Sequence, residues 1–287
     1  MVDTSAVNAA DAGTWTLGDR VVNRLGFGSM RLTADPDPQA AIGLLRRAVE
    51  LGVNHIDTAA YYFDAHYATE LIRAALSPYP DELVITTKVG FFRDDAGDWH
   101  EANSPAALRE QVEDNLRRLG RDRLDVVNLR IVRRPGRDSI AESFGALAEL
   151  RAEGLIGELG ISNVRVDHLD EAQAIAPVVC VQNNYAIDNH GDDELLRVCG
   201  SRGVAYVPFF AIAGSARESG ATSEHSAAVA AVAARHGLSP HQVRLAWTLH
   251  QGEHVLAIPG TSDLTHLDQN VAVAGVRLTD ADLAELA

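Results

Sequence analysis

Three residue types that together can move a proton lie within a short stretch of this chain. Asp57 ends the apolar run Val53-Asn54-His55-Ile56, Tyr62 follows five residues later, and Lys88 ends a second apolar run, Leu83-Val84-Ile85-Thr86-Thr87. A free phenol has a pKa of about 10 and is a poor acid–base group near neutrality. An ammonium beside it stabilises the phenolate and lowers that value, and a carboxylate beside the ammonium keeps it charged and aimed. A tyrosine so poised could hand its proton to a carbonyl oxygen as a hydride arrives at the carbon. The same residues could instead be a buried Asp–Lys pair bracing the core, with Tyr62 packed in a loop. Taken alone, they leave both readings open.

For these groups to converge, the two runs must be neighbouring strands ending at one rim. The rest of the chain alternates in a way that supplies such a rim. Trp15–Leu17 and Arg20–Val22 flank Gly18-Asp19, which predicts a β-hairpin. Strands are then expected at Leu25–Gly28, Val53–Ile56, Leu83–Thr87, Leu124–Leu129, Ile156–Ile161, Val178–Gln182, Val204–Pro208 and Val255–Ile258. Helices are expected between them, the best punctuated over Ser104–Leu119, with Ser104 as N-cap, Pro105 in the first turn and Gly120 after the end. Eight short strands, apolar on both faces and each followed by a helix, predict an α/β chain folded as a (β/α)8 TIM barrel with an N-terminal β-hairpin. A dinucleotide-binding open sheet would need G-x-G-x-x-G leading straight into a helix. Gly26-Phe27-Gly28-Ser29-Met30-Arg31 has no third glycine, and the next helix waits until Pro38. Residues 1–14 are expected to be a flexible tail and residues 15–287 a single domain.

Catalytic groups of such a barrel sit at the C-terminal ends of its strands. In order, those ends carry Gly28, Ser29 and Met30; Asp57 and Tyr62; Lys88; Arg130; Ser162 and Asn163; Gln182; Phe209 and Phe210; and Gly260, Thr261 and Ser262. Arg130 stays protonated near neutrality and cannot relay a proton. It can donate hydrogen bonds to a substrate oxygen, and its charge would depress the Tyr62 pKa further.

The bulk numbers narrow the classes of function. The 287 residues carry a formal net charge of −15, with 46% hydrophobic and 23% charged residues. No general basic surface would offset phosphate repulsion, so neither nucleic acid nor an anionic membrane is an expected partner. Cys180 and Cys199 form no C-x-x-C pair and lie in apolar settings, as reduced thiols of a cytoplasmic protein would. The first fourteen residues have neither a basic nor an apolar segment of the signal-peptide kind. No apolar run approaches the roughly 20 residues a membrane helix needs.

Five motifs in register, His55-Ile56-Asp57-Thr58-Ala59-x-x-Tyr62, Thr87-Lys88, Gly160-Ile161-Ser162-Asn163, Val181-Gln182-Asn183 and Ile258-Pro259-Gly260-Thr261-Ser262, resemble the aldo-keto reductase superfamily from Trp15 to about Ala274. The resemblance implies an NADP-dependent barrel enzyme that reduces an aldehyde or ketone with NADPH. It makes Tyr62 the general acid, tuned by Asp57 and Lys88. It gives Ser162, Asn163 and Gln182 to the nicotinamide carboxamide and Phe209 to the face of its ring. Gly28, Ser29, Met30, Phe210, Ile212 and Gly214 would line the cofactor channel, and Gly260, Thr261, Ser262, His266, Gln269 and Asn270 would hold the adenosine end. Two positions depart from the family pattern. The fourth-strand histidine is Arg130, and the position near the 2′-phosphate that is often arginine is His266, with Asp263 beside it. Asn128-Leu129-Arg130 is similar to a bacterial branch with pyridoxal reductase-like members, which implies pyridoxal or a like aromatic aldehyde as substrate. Alternatives are a biosynthetic reductase of an imine or enone, and an NADP-binding regulatory subunit with little turnover.

Around this rim, Phe63, Phe91, Phe92 and Trp99 could wall an apolar substrate pocket or simply pack under a loop. Arg133, Arg134 and Arg137 could admit an anionic substrate or form a solvated basic loop. His250-Gln251-Gly252-Glu253-His254 matches H-x-x-E-H in letters, but Gly252 at an expected helix end spoils the helical face that a zinc site of that kind requires, so no metal is expected. A monomer or small homo-oligomer acting on a small carbonyl compound is the expected form.

Overall fold

The computed structural model describes residues 7–35, 37–94, 96–134, 138–212 and 224–287. The hairpin β1 (Thr14–Leu17) and β2 (Arg20–Asn23) leads into β3 (Phe27–Gly28), β4 (His55–Asp57) and β5 (Val84–Val89). A second hairpin follows, β6 (Phe91–Arg93) and β7 (Trp99–Glu101), and then β8 (Leu124–Arg130), β9 (Ile156–Ser162), β10 (Cys180–Gln182) and β11 (Ala205–Tyr206). Seven of these form one parallel sheet in the order β3-β4-β5-β8-β9-β10-β11. The eighth barrel segment is held at two isolated parallel bridges, Tyr206 to Val255 on one side and Leu25 to Ala257 on the other. There Gly26 N donates to Ala257 O and Ala257 N to Arg24 O, both at 2.8 Å, so the sheet curls into the expected (β/α)8 barrel.

Helices α1 (Gln39–Glu50), α2 (Tyr67–Leu76), α3 (Pro105–Leu119), α4 (Ala141–Ala152), α5 (Val166–Ile175) and α6 (Asp193–Ser201) cover the sheet. After them come α7 (Ala227–His236), α8 (Pro240–Leu249), α9 (Leu264–Ala272) and α10 (Asp280–Leu286). The caps explain the sharp ends: Ser104 Oγ accepts from Ala107 N at the start of α3, and Gly120 ends it in the left-handed region. No helix among the described residues is long and apolar enough to cross a membrane.

Strand parity sorts the core. Ile85, Val127, Leu129, Leu159, Ile161 and Val181 face the helices in one continuous apolar cluster. Their alternates Val84, Val126 and Cys180 face the barrel interior, where they join Ala205, Val207 and Leu256. Leu17 and Val22 of the first hairpin belong to this inner cluster, so the hairpin plugs the lower mouth of the barrel. With one mouth plugged and both faces covered, the upper rim is where the interior opens.

Two expectations need correction. Residues 7–13 are not a loose tail. Asn8 Oδ1 caps a 3-10 turn over Ala9–Ala12, Ala9 is wholly buried with its N–H on Leu51 O, and Arg277 donates to Asp11 O at 2.8 Å. Small residues let this turn lie close against the end of α1, a fit that composition alone does not signal. The segment after β5 is also not a plain loop but the hairpin β6–β7, registered Phe91 to Glu101 and Arg93 to Trp99.

Candidate active site

Continuing the inward parity upward puts Thr86 and Lys88 of β5, Asn128 and Arg130 of β8, Gly160 and Ser162 of β9, and Gln182 of β10 into the barrel, stepping toward the rim. Asp57 pairs with Thr86 across β4 and β5. Lys88 therefore stands one inward step beyond Asp57, and its stem lets the ammonium reach the carboxylate. Lys88 Nζ donates to Asp57 Oδ2 at 2.5 Å, to Tyr62 Oη at 2.8 Å and to Thr58 O at 3.1 Å, which uses all three of its protons. Tyr62 Oη donates in turn to Asp57 Oδ2 at 3.0 Å, closing a triangle. Asp57 Oδ1 accepts from Gln182 Nε2 at 2.8 Å. The Asp57, Lys88 and Gln182 side chains are all buried.

This environment reverses one sequence expectation. The Tyr62 pKa is raised well above the ordinary phenol value. Burial is the largest cause, followed by the Asp57 charge, Tyr61 and the hydrogen bond to Asp57, with Arg130 pulling the other way. Burial also lowers the Lys88 pKa, against the pull of Asp57. Tyr62 is therefore held as a protonated phenol at rest, because desolvation and the carboxylate outweigh the pull of Arg130.

Arg130 stands beside the triangle. Its guanidinium lies 5.0 Å from the Phe209 ring centroid and donates to Ser162 Oγ at 3.3 Å. Phe209 meets Phe210 edge-on at 5.1 Å. Asn163 and Phe210 both hold φ near +60°, a region non-glycine residues seldom occupy, and Asn163 is braced by its Nδ2 bond to Ile131 O. At the barrel seam a Cβ on Gly260 would come within 2.4 Å of Gly28 O, and one on Gly28 within 2.6 Å of Ile258 O. Only glycine allows that approach. Beyond it, Thr261 Oγ1 accepts from Asp263 N, and Asp263 Oδ1 caps α9 by accepting from His266 N at 2.9 Å. The first turn of α9 is thus already partnered by a carboxylate. His266 and Gln269 are exposed there, Ser262 also, while Asn270 is buried.

Among the described residues, Ser29 Oγ and Gln182 Oε1 are buried rim atoms without a hydrogen-bond partner. A buried polar atom left this way costs stability unless a ligand or water satisfies it. A carboxamide-bearing ring lying on Phe209 fits such a set of atoms. Met30 and Ile212 lie partly buried on the same side as the chain leaves β3 and Phe210, whereas Gly214 and Arg137 fall outside the described residues.

The aromatic wall differs from the expected one. Period-two alternation on β6 turns Phe91 inward and Phe92 outward, where Phe92 is 47% exposed and stacks on His100. The packed cluster is Tyr61, Phe91 and Trp99, with Tyr61 and Trp99 centroids 5.1 Å apart, and Tyr62 lies against it. Phe63 and Trp99 sandwich the Arg93 guanidinium at 5.2 and 4.3 Å. Tyr61 was missed in the sequence because Tyr62 alone had the right spacing. Arg133 is paired with Asp192 and Arg134 with Glu101. His250 and His254 of the H-x-x-E-H stretch hydrogen-bond to separate carbonyls, Ala246 O and Leu196 O.

Just below the rim a few polar groups lie among the apolar interior side chains. His55 Nε2 meets Thr86 Oγ1 at 3.1 Å, and Cys180 Sγ lies 3.3 Å from Asn128 Oδ1. Burial pushes the His55 pKa down to about 4, against the pull of Asp57. In the unfolded chain the same imidazole protonates near 6.5. Between those values the unfolded state binds more protons, so stability falls as pH drops from about 6.5 toward 4 and levels off below. The whole span is about 3 kcal/mol. Thermal unfolding of the parent and of His55→Gln from pH 7 down to pH of about 4 tests this, with the parent expected to lose more Tm on acidification. Equal losses would assign the slope to other groups.

The family model described as the aldo/keto reductase family matches residues 24–287. The chain is 43% identical to the pyridoxine 4-dehydrogenase of Escherichia coli K12 over 285 residues, covering 96% of this chain and 97% of that protein. It is 38% identical to an uncharacterized oxidoreductase of Schizosaccharomyces pombe, covering 99% and 92%. Among solved structures, an aldo-keto reductase from Klebsiella pneumoniae in complex with NADPH superposes with a TM-score of 0.81 at 26% identity, covering 95% of this chain and 93% of that one.

Proposed function

The chain belongs to the aldo/keto reductase family of oxidoreductases, and on that premise we propose that it reduces a pyridoxal-like aromatic aldehyde to the alcohol with NADPH, Tyr62 giving the proton. The observation that carries this reading is the Tyr62 hydroxyl, held by Lys88 Nζ at 2.8 Å and Asp57 Oδ2 at 3.0 Å. The pyridoxine 4-dehydrogenase relative supports the substrate class, and the NADPH complex of the Klebsiella relative supports the cofactor.

Reduced nicotinamide supplies the hydride. On this reading the protein's own groups do the rest. The Tyr62 hydroxyl turns from Asp57 to the carbonyl oxygen and releases its proton there. Lys88 keeps its hydrogen bond to Oη throughout, so the charge left on the phenolate forms beside an ammonium. Solvent then restores the proton. Gln182 Oε1 and Ser162 would hold the carboxamide, Phe209 would pack on the ring, and Ser29 with the Gly28–Gly260 seam would border the cofactor's path. Arg130 replaces a neutral imidazole with a permanent fork of donors, which suits an oxygen carried next to the aldehyde, such as the ring hydroxyl of pyridoxal. The Asp263 carboxylate at the start of α9, with His266 rather than arginine, supports only a modest preference for NADPH over NADH.

NADPH oxidation across aldehydes, ketones and imines, with NADH alongside, tests the reading. Aromatic aldehydes with a neighbouring hydroxyl are expected to be turned over best. Arg130→Met removes one charged hydrogen bond, so kcat/KM for those substrates should fall roughly 10- to 100-fold, with much less change for benzaldehyde-type compounds. Preferred turnover of an imine or enone would shift the reaction class. NADPH binding without turnover of any panel member would favour the regulatory-subunit role.

A further inference from the structure

Gln182 touches Asp57 from the opposite side of the triangle, and the geometry fixes which way its amide points. Asp57 Oδ2 takes both Lys88 and Tyr62, and Oδ1 faces Gln182 at 2.8 Å. An ionised carboxylate only accepts, so the group facing it must be the Gln182 NH2. The amide oxygen is then turned away from Asp57. It is buried, at the rim, and has no partner among the described residues. An amide held this way is asymmetric: its donor is committed inward and its acceptor is open outward. Gln182 itself is 1% exposed, on a strand whose neighbours Cys180 and Val181 are wholly packed, so it has little freedom to turn elsewhere.

We propose that Gln182 is a positioning residue that couples cofactor binding to the proton donor, its Oε1 accepting the carboxamide N–H while its Nε2 holds Asp57 in the orientation that serves Lys88 and Tyr62. This rests on the function proposed above. Tyr62 must let go of Asp57 to serve a substrate. When it does, Asp57 keeps Lys88 on one oxygen and Gln182 on the other, so the carboxylate stays partnered while the phenol turns. Without Gln182, Asp57 Oδ1 would lose a buried donor, and the pull of the carboxylate on the Tyr62 hydroxyl would strengthen. With Gln182 in place, the hydride side and the proton side of the site share one rigid amide.

Gln182→Glu and Gln182→Met separate the two halves. Gln182→Glu keeps an acceptor for the carboxamide but replaces the donor to Asp57 with a second carboxylate, and two carboxylates in contact must share a proton. NADPH affinity, read by fluorescence titration without substrate, should change less than about threefold, while kcat at saturating NADPH falls at least tenfold and its acid limb moves to higher pH. Gln182→Met loses both contacts, so NADPH affinity and kcat should each fall about tenfold. The decisive comparison is a cycle with Asp57→Asn. If Gln182 acts through Asp57, the kcat loss from Gln182→Met shrinks to less than about threefold in the Asp57→Asn background. A full kcat loss in that background, or Gln182 variants that lose affinity with kcat and pH profile unchanged, overturns the coupling. Because Gln182→Glu keeps shape and volume, it carries the test if the methionine variant does not fold. An inactive parent enzyme would instead sink the proposed function, whereas an active parent with indifferent Gln182 variants sinks the coupling alone.

Discussion

Tyr62→Phe is expected to lose carbonyl reduction by roughly 10²- to 10⁴-fold, the range a positioned general acid supplies, while NADPH affinity stays within about threefold. The phenol oxygen is the one atom of the triangle that can both reach outward and give up a proton. The ring itself packs against Tyr61, so phenylalanine keeps the fill and removes only the hydroxyl. In the variant Lys88 still has Asp57 and Thr58 O as acceptors, which limits the structural cost. Single-turnover reduction at saturating NADPH separates the chemistry from binding. Near-parental turnover would remove Tyr62 from the mechanism and leave the buried Asp–Lys brace as its only role.

Lys88→Met should have the largest effect on stability and abolish most activity as well. It leaves Asp57 buried with Tyr62 and Gln182 as its remaining partners and, among the described residues, no cation in contact. Breaking a buried pair from one side costs about 3–5 kcal/mol, which in a chain of this size corresponds to a Tm drop on the order of 10 °C. The double variant Lys88→Met with Asp57→Asn removes the stranded charge and should regain a good part of that loss while remaining inactive. If the double variant were no more stable than the single one, the loss would come from packing of the lysine stem and not from the carboxylate. The contrast is informative because Tyr62→Phe should cost activity with little Tm change, whereas Lys88→Met should cost both.

What the sequence conveyed and what it withheld divide along physical lines. α3 was legible from Ser104, Pro105 and Gly120, because a capping hydroxyl, a first-turn proline and a left-handed stop are local signals. The Asp57, Tyr62 and Lys88 grouping was legible because strand ends of a parallel barrel meet at one rim. The hairpin β6–β7 was not, since three-residue strands are too short for alternation to stand out. The raised pKa of Tyr62 could not be read either: spacing brings the charges together, but desolvation depends on everything packed around them. The Gln182–Asp57 contact joins residues 125 positions apart, from strands not adjacent in the sheet, and closes only across the barrel interior. The 3-10 turn at Ala9–Ala12 escaped notice because four small residues resemble a tail until their burial is seen.

The seam at Leu25 and Ala257 bears on the behaviour of the chain outside its catalytic cycle. Seven strands alone would be an open sheet with β3 and β11 as its borders, each presenting bare amides and carbonyls to any extended peptide. The segment around Val255 to Ala257 pairs at both borders at once, so a segment held only at isolated bridges is the one that leaves the sheet no edge. Loosening it would expose two templates for strand addition by another molecule, and resistance to self-association in this fold therefore depends on a few hydrogen bonds at that seam, where Arg24 also ties in the first turn through Ala12 O and Gly13 O.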